Sequence, residues 1–365
     1  MVALLSSYRP PLFYTQRRFQ TKGMQMSGKE AHSIVYGPVI ELPEQIEEAL
    51  NIKVTELPAT KKICVCGMGA SALAGEVFSD YIDGSSDIPL SVIRGIELPG
   101  WVSKGTTVIA LSYSGNVEET IIAYEEARSR GCDIICITSG GELGRRCASH
   151  NTPVIELPPG LLSRDAFGYL LGSLAVILET MNVSDAAENL RGLIPELKRY
   201  RDARISDDDR VVKEISMMLM HKIPVIFSLA NMRSSAIRWK TQINENSKFL
   251  SFCGSLPEFN HNEIVGWTGD VKNNIFMPVI LYDDNASNVV RWMIDASSDV
   301  LKDRKIRTVT YHIGGSNNLE KNLKCIILGD IVSVYLANLI GSDHVAKDRT
   351  GAPDSLVIND DSNNS

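Results

Sequence analysis

KKICVCGMGASALAGEVFSDYI, residues 61–82, sets an apolar run, a glycine turn and an amphipathic stretch in immediate succession. Ile63, Cys64, Val65 and Cys66 are consecutive apolar residues without polar alternation, the pattern of a strand covered on both faces, as strands of parallel sheets are. Gly67 and Gly69 permit a tight turn, and SALAGEVFSDYI then reads as a helix folded back onto the sheet. The unit recurs in PLSVIR, TTVIALS, VEETIIAYEEARSRG, CDIICIT, GELGRRCASH and TPVIEL. The helix from Val117 is expected to end at Gly131, a C-cap, and a long helical stretch from Asp165 to about Asn182 closes the series.

The charged segment 189–210 leads into a second series: IPVIFS, SSAIRWKTQINENSK, FLSFC, IFMPVIL, NVVRWMIDASSDVLKD, KIRTVTYHI and KCIILGDIVSVYLANLIG. The predicted architecture is α/β, with two doubly wound parallel-sheet domains in tandem, residues 33–188 and 189–341, each a three-layer αβα sandwich. A ligand is expected in their shared cleft, outside the carboxyl ends of the strands. Residues 1–32 carry Arg9, Arg17, Arg18, Lys22 and Lys29 and no acid before Glu30, the composition of a transit segment or of sequence upstream of a later start at Met24 or Met26. Residues 342–365 form a polar tail that reads as disordered at its end.

With 365 residues, 44% hydrophobic and 22% charged, the chain has an ordinary globular composition. A net charge of −7 without a basic stripe disfavours nucleic acid as partner and leaves room for a local cationic pocket for a small anion. No uncharged apolar run reaches the ~18 residues of a membrane span, so no membrane partner is expected. The seven cysteines sit mostly in strand-like runs and read as reduced and buried, which suits a cytoplasmic setting. Cys64 and Cys66 face the same side of one strand with no further ligand at metal spacing, so no metal site is expected.

Two loops suit a phosphate. GMGAS, residues 67–71, offers Gly69, Ala70 and Ser71 at a helix start, where backbone N–H groups and a hydroxyl face an anion. SYSGN, residues 112–116, repeats that logic after TTVIAL with Ser112 and Ser114. The same residues also serve as N-caps. A dinucleotide is disfavoured, because the third glycine of the usual fingerprint is missing and the next strand ends in Arg94 instead of an acid. RWKTQINENSKFLSFCGSLPEFNHNEIVGW, residues 238–267, then gathers Glu245, Glu258, His261 and Glu263 among amides. Glu245 and His261 make a usable acid/base pair that would converge on one ligand, although solvated loop and cap residues have the same composition.

GMGAS, LPGWV (98–102), SYSGNVEET, the turn GLLSRDAFGY (160–169), RWKTQINENSK and PEFNHNEIVGW together resemble the bifunctional phosphoglucose/phosphomannose isomerases of the sugar isomerase (SIS) superfamily, from about residue 35 to 341. The resemblance implies two SIS domains and aldose–ketose isomerisation of glucose 6-phosphate and mannose 6-phosphate with fructose 6-phosphate through a cis-enediol. It assigns the sugar phosphate to Gly69, Ala70, Ser71, Ser112 and Ser114. Val117, where the family has threonine, is left with only its backbone. Arg164 is implied beside the enediolate, Glu245 as the base between C1 and C2, and His261, from the partner subunit of a homodimer, as the group assisting ring opening. The family's C-terminal lysine has only Lys347 to match it. No cofactor is called for, since the proton shuttle needs neither hydride acceptor nor metal. The rivals are a non-catalytic SIS sugar-phosphate regulator, which would not need Glu245, His261 and Arg164, and the isomerase half of a glucosamine-6-phosphate synthase, which would need an ammonia source.

Overall fold

The computed structural model describes residues 36–54, 57–83, 85–269 and 273–342. The expectations for residues 1–32, for the tail beyond Ser342 and for Lys347 lie outside the described residues. The elements run α1 (Leu42–Ala49), β1 (Ile63–Gly67), α2 (Gly69–Ile82), β2 (Leu90–Ile93), β3 (Thr107–Leu111), α3 (Glu118–Ser129), β4 (Asp133–Thr138), α4 (Gly141–His150), β5 (Val154–Glu156) and α5 (Phe167–Thr180). They continue as α6 (Ala186–Ile205), α7 (Arg210–Leu219), β6 (Ile223–Leu229), α8 (Arg233–Gln242), β7 (Phe252–Leu256), α9 (Glu263–Thr268), β8 (Phe276–Asp283), α10 (Asn288–Asp303), β9 (Val309–Ile313) and α11 (Asn318–Ile340).

The strands form two all-parallel sheets, ordered β2-β1-β3-β4-β5 and β7-β6-β8-β9. Both orders reverse beside the first strand, which opens a crevice between β1 and β3 in one sheet and between β6 and β8 in the other. Every residue of β1 and β3 is buried, as their unbroken apolar runs require of a sheet covered on both faces.

One hydrophobic cluster runs through both sheets, from Leu42 and Ile46 of α1 to Ile331 and Leu336 of α11. α11 is long and apolar enough to cross a membrane by length and composition, yet 78% of its apolar window is buried inside the protein. It is the central core helix. α6 crosses the boundary expected at residues 188/189: its charged residues form its outer face, and Leu190, Leu193, Ile194 and Leu197 are buried. From α6, Lys324 of α11 is reached by Glu196 at 2.6 Å and Tyr311 of β9 by Tyr200 at 3.2 Å. α7 follows Asp209, whose carboxylate accepts the Val212 N–H at 3.0 Å as an N-cap. The sequence rhythm does not single out this short helix, because its charged N-terminal flank reads as a connector.

Candidate active site

Each candidate phosphate loop leaves the carboxyl end of a strand at the crevice of the first sheet. After β1, Gly67 passes so close to β3 that an added Cβ would lie 2.8 Å from the Leu111 carbonyl oxygen, so the turn requires glycine. Gly69 (φ 52°), Ala70 and Ser71 then form the first turn of α2, with Ser71 buried. After β3, Ser112 is buried and its Oγ accepts the Gly115 N–H at 3.2 Å, while Ser114 Oγ accepts the Asn116 N–H at 3.3 Å. A hydroxyl oxygen occupied in this way keeps its own proton to give, so both serines are set up as donors to an anion. Gly115 (φ 70°) could not carry a Cβ, which would lie 1.8 Å from the Gly140 carbonyl oxygen. Asn116 has a structural part: its Oδ1 accepts the Glu142 N–H at 3.0 Å at the start of α4. Val117 stands at the N-cap of α3 with no side-chain cap bond, so that helix start is served by backbone alone.

Arg164 lies in the turn between β5 and α5. Its side chain is 8% exposed, and Nη1 is 3.4 Å from Glu245 Oε2. Two buried side chains hold that turn by its backbone. Gln45 of α1 donates to the Asp165 carbonyl at 2.7 Å and accepts the Gly168 N–H at 3.1 Å, and Arg238 of α8 donates to the Arg164 carbonyl at 3.0 Å. Glu245 itself sits on a π-helical turn, Ile243–Ser247, that extends α8 and ends at Lys248 (φ 55°). Such single π turns are common at functional sites.

α2 and α8 bring the loops and the carboxylate together. Asp80, near the end of α2, accepts the Ser234 N–H at 2.8 Å at the start of α8, so these packed helices run in opposite senses. Eleven residues lead back from Asp80 to Gly69 and eleven lead on from Ser234 to Glu245, about 16 Å in each case at about 1.5 Å per residue. The start of α2 and the end of α8 therefore lie level with one another. Burial pushes the Asp80 carboxyl up to about 6, against the pull of the Ser234 hydrogen bonds.

His261 is placed elsewhere. The Glu245 turn precedes β7, and Ser251 ties it to the amino edge of the second sheet: its N–H donates to Asn244 Oδ1 at 2.8 Å and its hydroxyl donates to the Pro224 carbonyl at 3.1 Å. His261 follows the carboxyl end of β7 and is exposed. One strand of about 13 Å, four steps of about 3.3 Å, separates the two edges. Within a single chain Glu245 and His261 do not converge, and the second sheet contributes to the site from its amino edge instead of its carboxyl edge. FLSFC between the two residues was the available signal, since one strand between two loops sends them to opposite edges. Glu258 and Glu263 stay with His261; Glu258 accepts the Asn262 side-chain N–H at 2.7 Å, and burial raises the Glu263 carboxyl.

A further cation escaped the sequence reading. Arg94, after β2, donates to the Gly69 carbonyl at 3.4 Å and pairs with Glu76 at 3.3 Å, which puts a guanidinium at the rim of the GMGAS turn. Strand order, which brings β2 beside β1, is what places it there. A cavity of about 380 Å³ adjoins the Arg164 turn and is lined by Tyr36, Gly160, Asp165 and Asn246 among others. Another, of about 390 Å³, lies at the amino edge of the first sheet near Thr107 and Asp133 and holds none of these residues. α11 ends beside the first cavity, where Ser342 Oγ reaches the Asn246 carbonyl at 3.5 Å. Among the described residues no group of three His, Cys, Asp or Glu side chains is placed to hold a metal.

The arrangement juxtaposes an anion cradle with a contacting cation and carboxylate. Such a site can anchor a phosphorylated substrate while a carboxylate moves a proton on carbon and a guanidinium meets negative charge developing on oxygen.

Residues 56–159 match the SIS domain model, and residues 208–348 match the bacterial phospho-glucose isomerase C-terminal SIS domain model. Among solved structures, the C-terminal domain of glucosamine-fructose-6-phosphate aminotransferase from Francisella tularensis is similar in fold, with a TM-score of 0.67 at 16% identity over 84% of this chain and 96% of that one. The protein is thus of the tandem SIS class. Curated relatives named bifunctional phosphoglucose/phosphomannose isomerase include those of Aquifex aeolicus, 33% identical over 80% of this chain and 88% of that protein, and of Caldicellulosiruptor bescii, 33% identical over 85% and 94%. A D-glucosamine-6-phosphate 4-epimerase of Sulfolobus acidocaldarius is 30% identical over 69% and 79%. The chain belongs to the bifunctional phosphoglucose/phosphomannose isomerase family.

Proposed function

We propose that the protein interconverts glucose 6-phosphate and mannose 6-phosphate with fructose 6-phosphate through a cis-enediol. The contact of Arg164 with Glu245 beside the two serine loops carries this reading. Ser71, Ser112, Ser114 and the first-turn amides of α2, with Gly69 and Ala70, hold the phosphate, and Val117 adds only backbone. Glu245 takes the proton from C2 of the open-chain aldose and returns it at C1, while Arg164 balances the charge that grows on O1 and O2. A regulator that only binds sugar phosphate has no use for that pair.

Ring opening falls to His261 of a second copy. Its place across β7 from Glu245 supports a role in a neighbouring site, and so does the surface around it: α9 and α10, which pack together, expose Val265, Val289 and Trp292, the last at 68%. A patch of that kind on a soluble surface marks an interface. Lys347 follows Ser342 by five residues in the sequence and is the lysine that the family resemblance offers for contact with the substrate. Seven free thiols suit a reducing, cytoplasmic compartment.

The test is direct. Purified protein is given glucose 6-phosphate, mannose 6-phosphate and, because of the epimerase relative, glucosamine 6-phosphate. Formation of fructose 6-phosphate from the first two is expected, and its absence from both sinks the reading. Mixing inactive Glu245→Gln protein with inactive His261→Ala protein then tests the shared site, because half the sites of a mixed dimer have both groups intact. Restored turnover is expected under subunit exchange. Failure with heterodimers demonstrably present removes His261 from the neighbouring site.

A further inference from the structure

Arg238 and Asp330 are each only 2% exposed and meet through two hydrogen bonds, Nε to Oδ1 at 2.8 Å and Nη2 to Oδ2 at 2.9 Å. Stability alone does not explain such a pair, because apolar residues of similar volume usually serve as well in a core. Its further contacts are more telling. Arg238 Nη2 also donates to the Arg164 carbonyl at 3.0 Å, and the guanidinium lies 4.4 Å from the centre of the Phe167 ring, so it grips both ends of the Arg164 turn.

Glu245 follows Arg238 by seven residues, two turns along the same side of the helix. One turn beyond Asp330 on α11, Ser333 accepts the Asn246 side-chain N–H at 2.9 Å, and its carbonyl accepts the Ser247 hydroxyl at 2.7 Å. The contacts close a ring: Arg164 turn, Arg238, Asp330, Ser333, Asn246 and Glu245, which returns to Arg164.

We infer that the Arg238–Asp330 pair is a positioning device that sets the Arg164 guanidinium in register with the Glu245 carboxylate. It acts through the Arg164 backbone and the shared hold of α11 on both partners, without reaching the substrate. This deepens the isomerase reading and rests on it for its catalytic consequence. An ångström of misplacement between such groups is enough to slow a reaction about 100-fold. The phosphate loops hang from β1 and β3 and are not part of the ring, so substrate binding is left alone.

The test is the double variant Arg238→Met/Asp330→Leu, which removes both buried charges and fills the space. Expected are a Tm within a few degrees of the parent, kcat lowered 10- to 100-fold with KM within twofold, and amide hydrogen exchange at residues 164–168 at least 10-fold faster. Parental kcat or parental exchange in that turn, at equal Tm, overturns the inference. Exchange also separates the two claims: a parent protein without isomerase activity ends the isomerase reading, while faster exchange in the variant still establishes the registering role. Should the double variant not fold, Arg238→Lys carries the same comparison, since an ammonium can face Asp330 but cannot also grip the turn; parental kcat and exchange in it overturn the inference equally.

Discussion

The two sheets share one strand order over four strands, and each has a crevice where that order reverses, yet the two serine loops proposed to hold phosphate belong to the first. There the strand ends lead into GMGAS and SYSGN, whose glycines and serines bring backbone N–H groups and hydroxyls to the carboxyl edge. In the second sheet the start of α11 closes the same place. Lys321 pairs with Asp283 at the end of β8 at 2.7 Å, Asn322 donates to the Asn231 carbonyl after β6 at 2.8 Å, and Glu320 accepts the Ser316 N–H and hydroxyl, both at 2.7 Å. A topological switch point is therefore an opportunity that side chains take up or fill. The filled crevice frees the second sheet to present its opposite edge, with Glu245, to the open one.

The comparison breaks most visibly at Glu245. Glu245→Gln should leave folding and sugar-phosphate binding intact and lower kcat about 10³-fold or more, measured for both sugars, since no equivalent proton carrier remains. Near-parental turnover would shift the chemistry away from the amino edge of the second sheet. Next comes the filled crevice. Lys321→Met strands the buried Asp283 carboxylate and should cost about 3 kcal/mol in denaturant unfolding, with kcat of the folded protein unchanged. A selective loss of activity at full stability would mean that the second crevice is also a working site.

Asp80 tests the seam between the halves. Its carboxyl is raised from 3.8 to about 6 by burial, so the native state binds the proton more tightly than the unfolded chain does, and this group adds stability as pH falls through about 6 and loses it as pH rises. Asp80→Asn keeps an acceptor for the Ser234 N–H and removes the buried charge. It should stabilise by on the order of 2 kcal/mol above pH 7, with the gap to the parent closing towards pH 4 in unfolding measured across that range. A gap that is constant with pH would contradict the assignment.

The open crevice should respond more gently. Ser112→Ala is expected to raise KM by about 1–2 kcal/mol in binding terms with kcat and Tm near parental, and a fall in Tm without a KM change would make Ser112 a loop-holding residue. Smallest of all, Val117→Thr should lower KM by less than about 1 kcal/mol by adding one donor at the start of α3. An unchanged KM for both sugars would show that the backbone there already suffices.

Local pattern carried much of this molecule. Unbroken apolar runs identified the central strands β1, β3 and β8, because burial on two faces leaves no place for polar alternation, whereas the edge strand β9 alternates, with Thr310 and His312 exposed; glycines at strand ends marked turns where a Cβ has no room. The helix expected from Asp165 begins at Phe167, since Arg164 and Asp165 are held in a turn by Gln45 and Arg238, residues far away in the chain. Arg94 read as a missing acid until strand order set it beside Gly69. Sixteen residues of spacing suggested that Glu245 and His261 meet, and the sheet between them sends them to opposite edges. Pairing of Arg238 with Asp330, 92 residues apart, appears in no local pattern. Periodicity and turn chemistry are properties of neighbouring residues, so the sequence by itself determined most of the elements and their order, α7 excepted. Which crevice stays open, and which carboxylate faces which cation, depends on contacts between distant segments, and only the packed structure decided those.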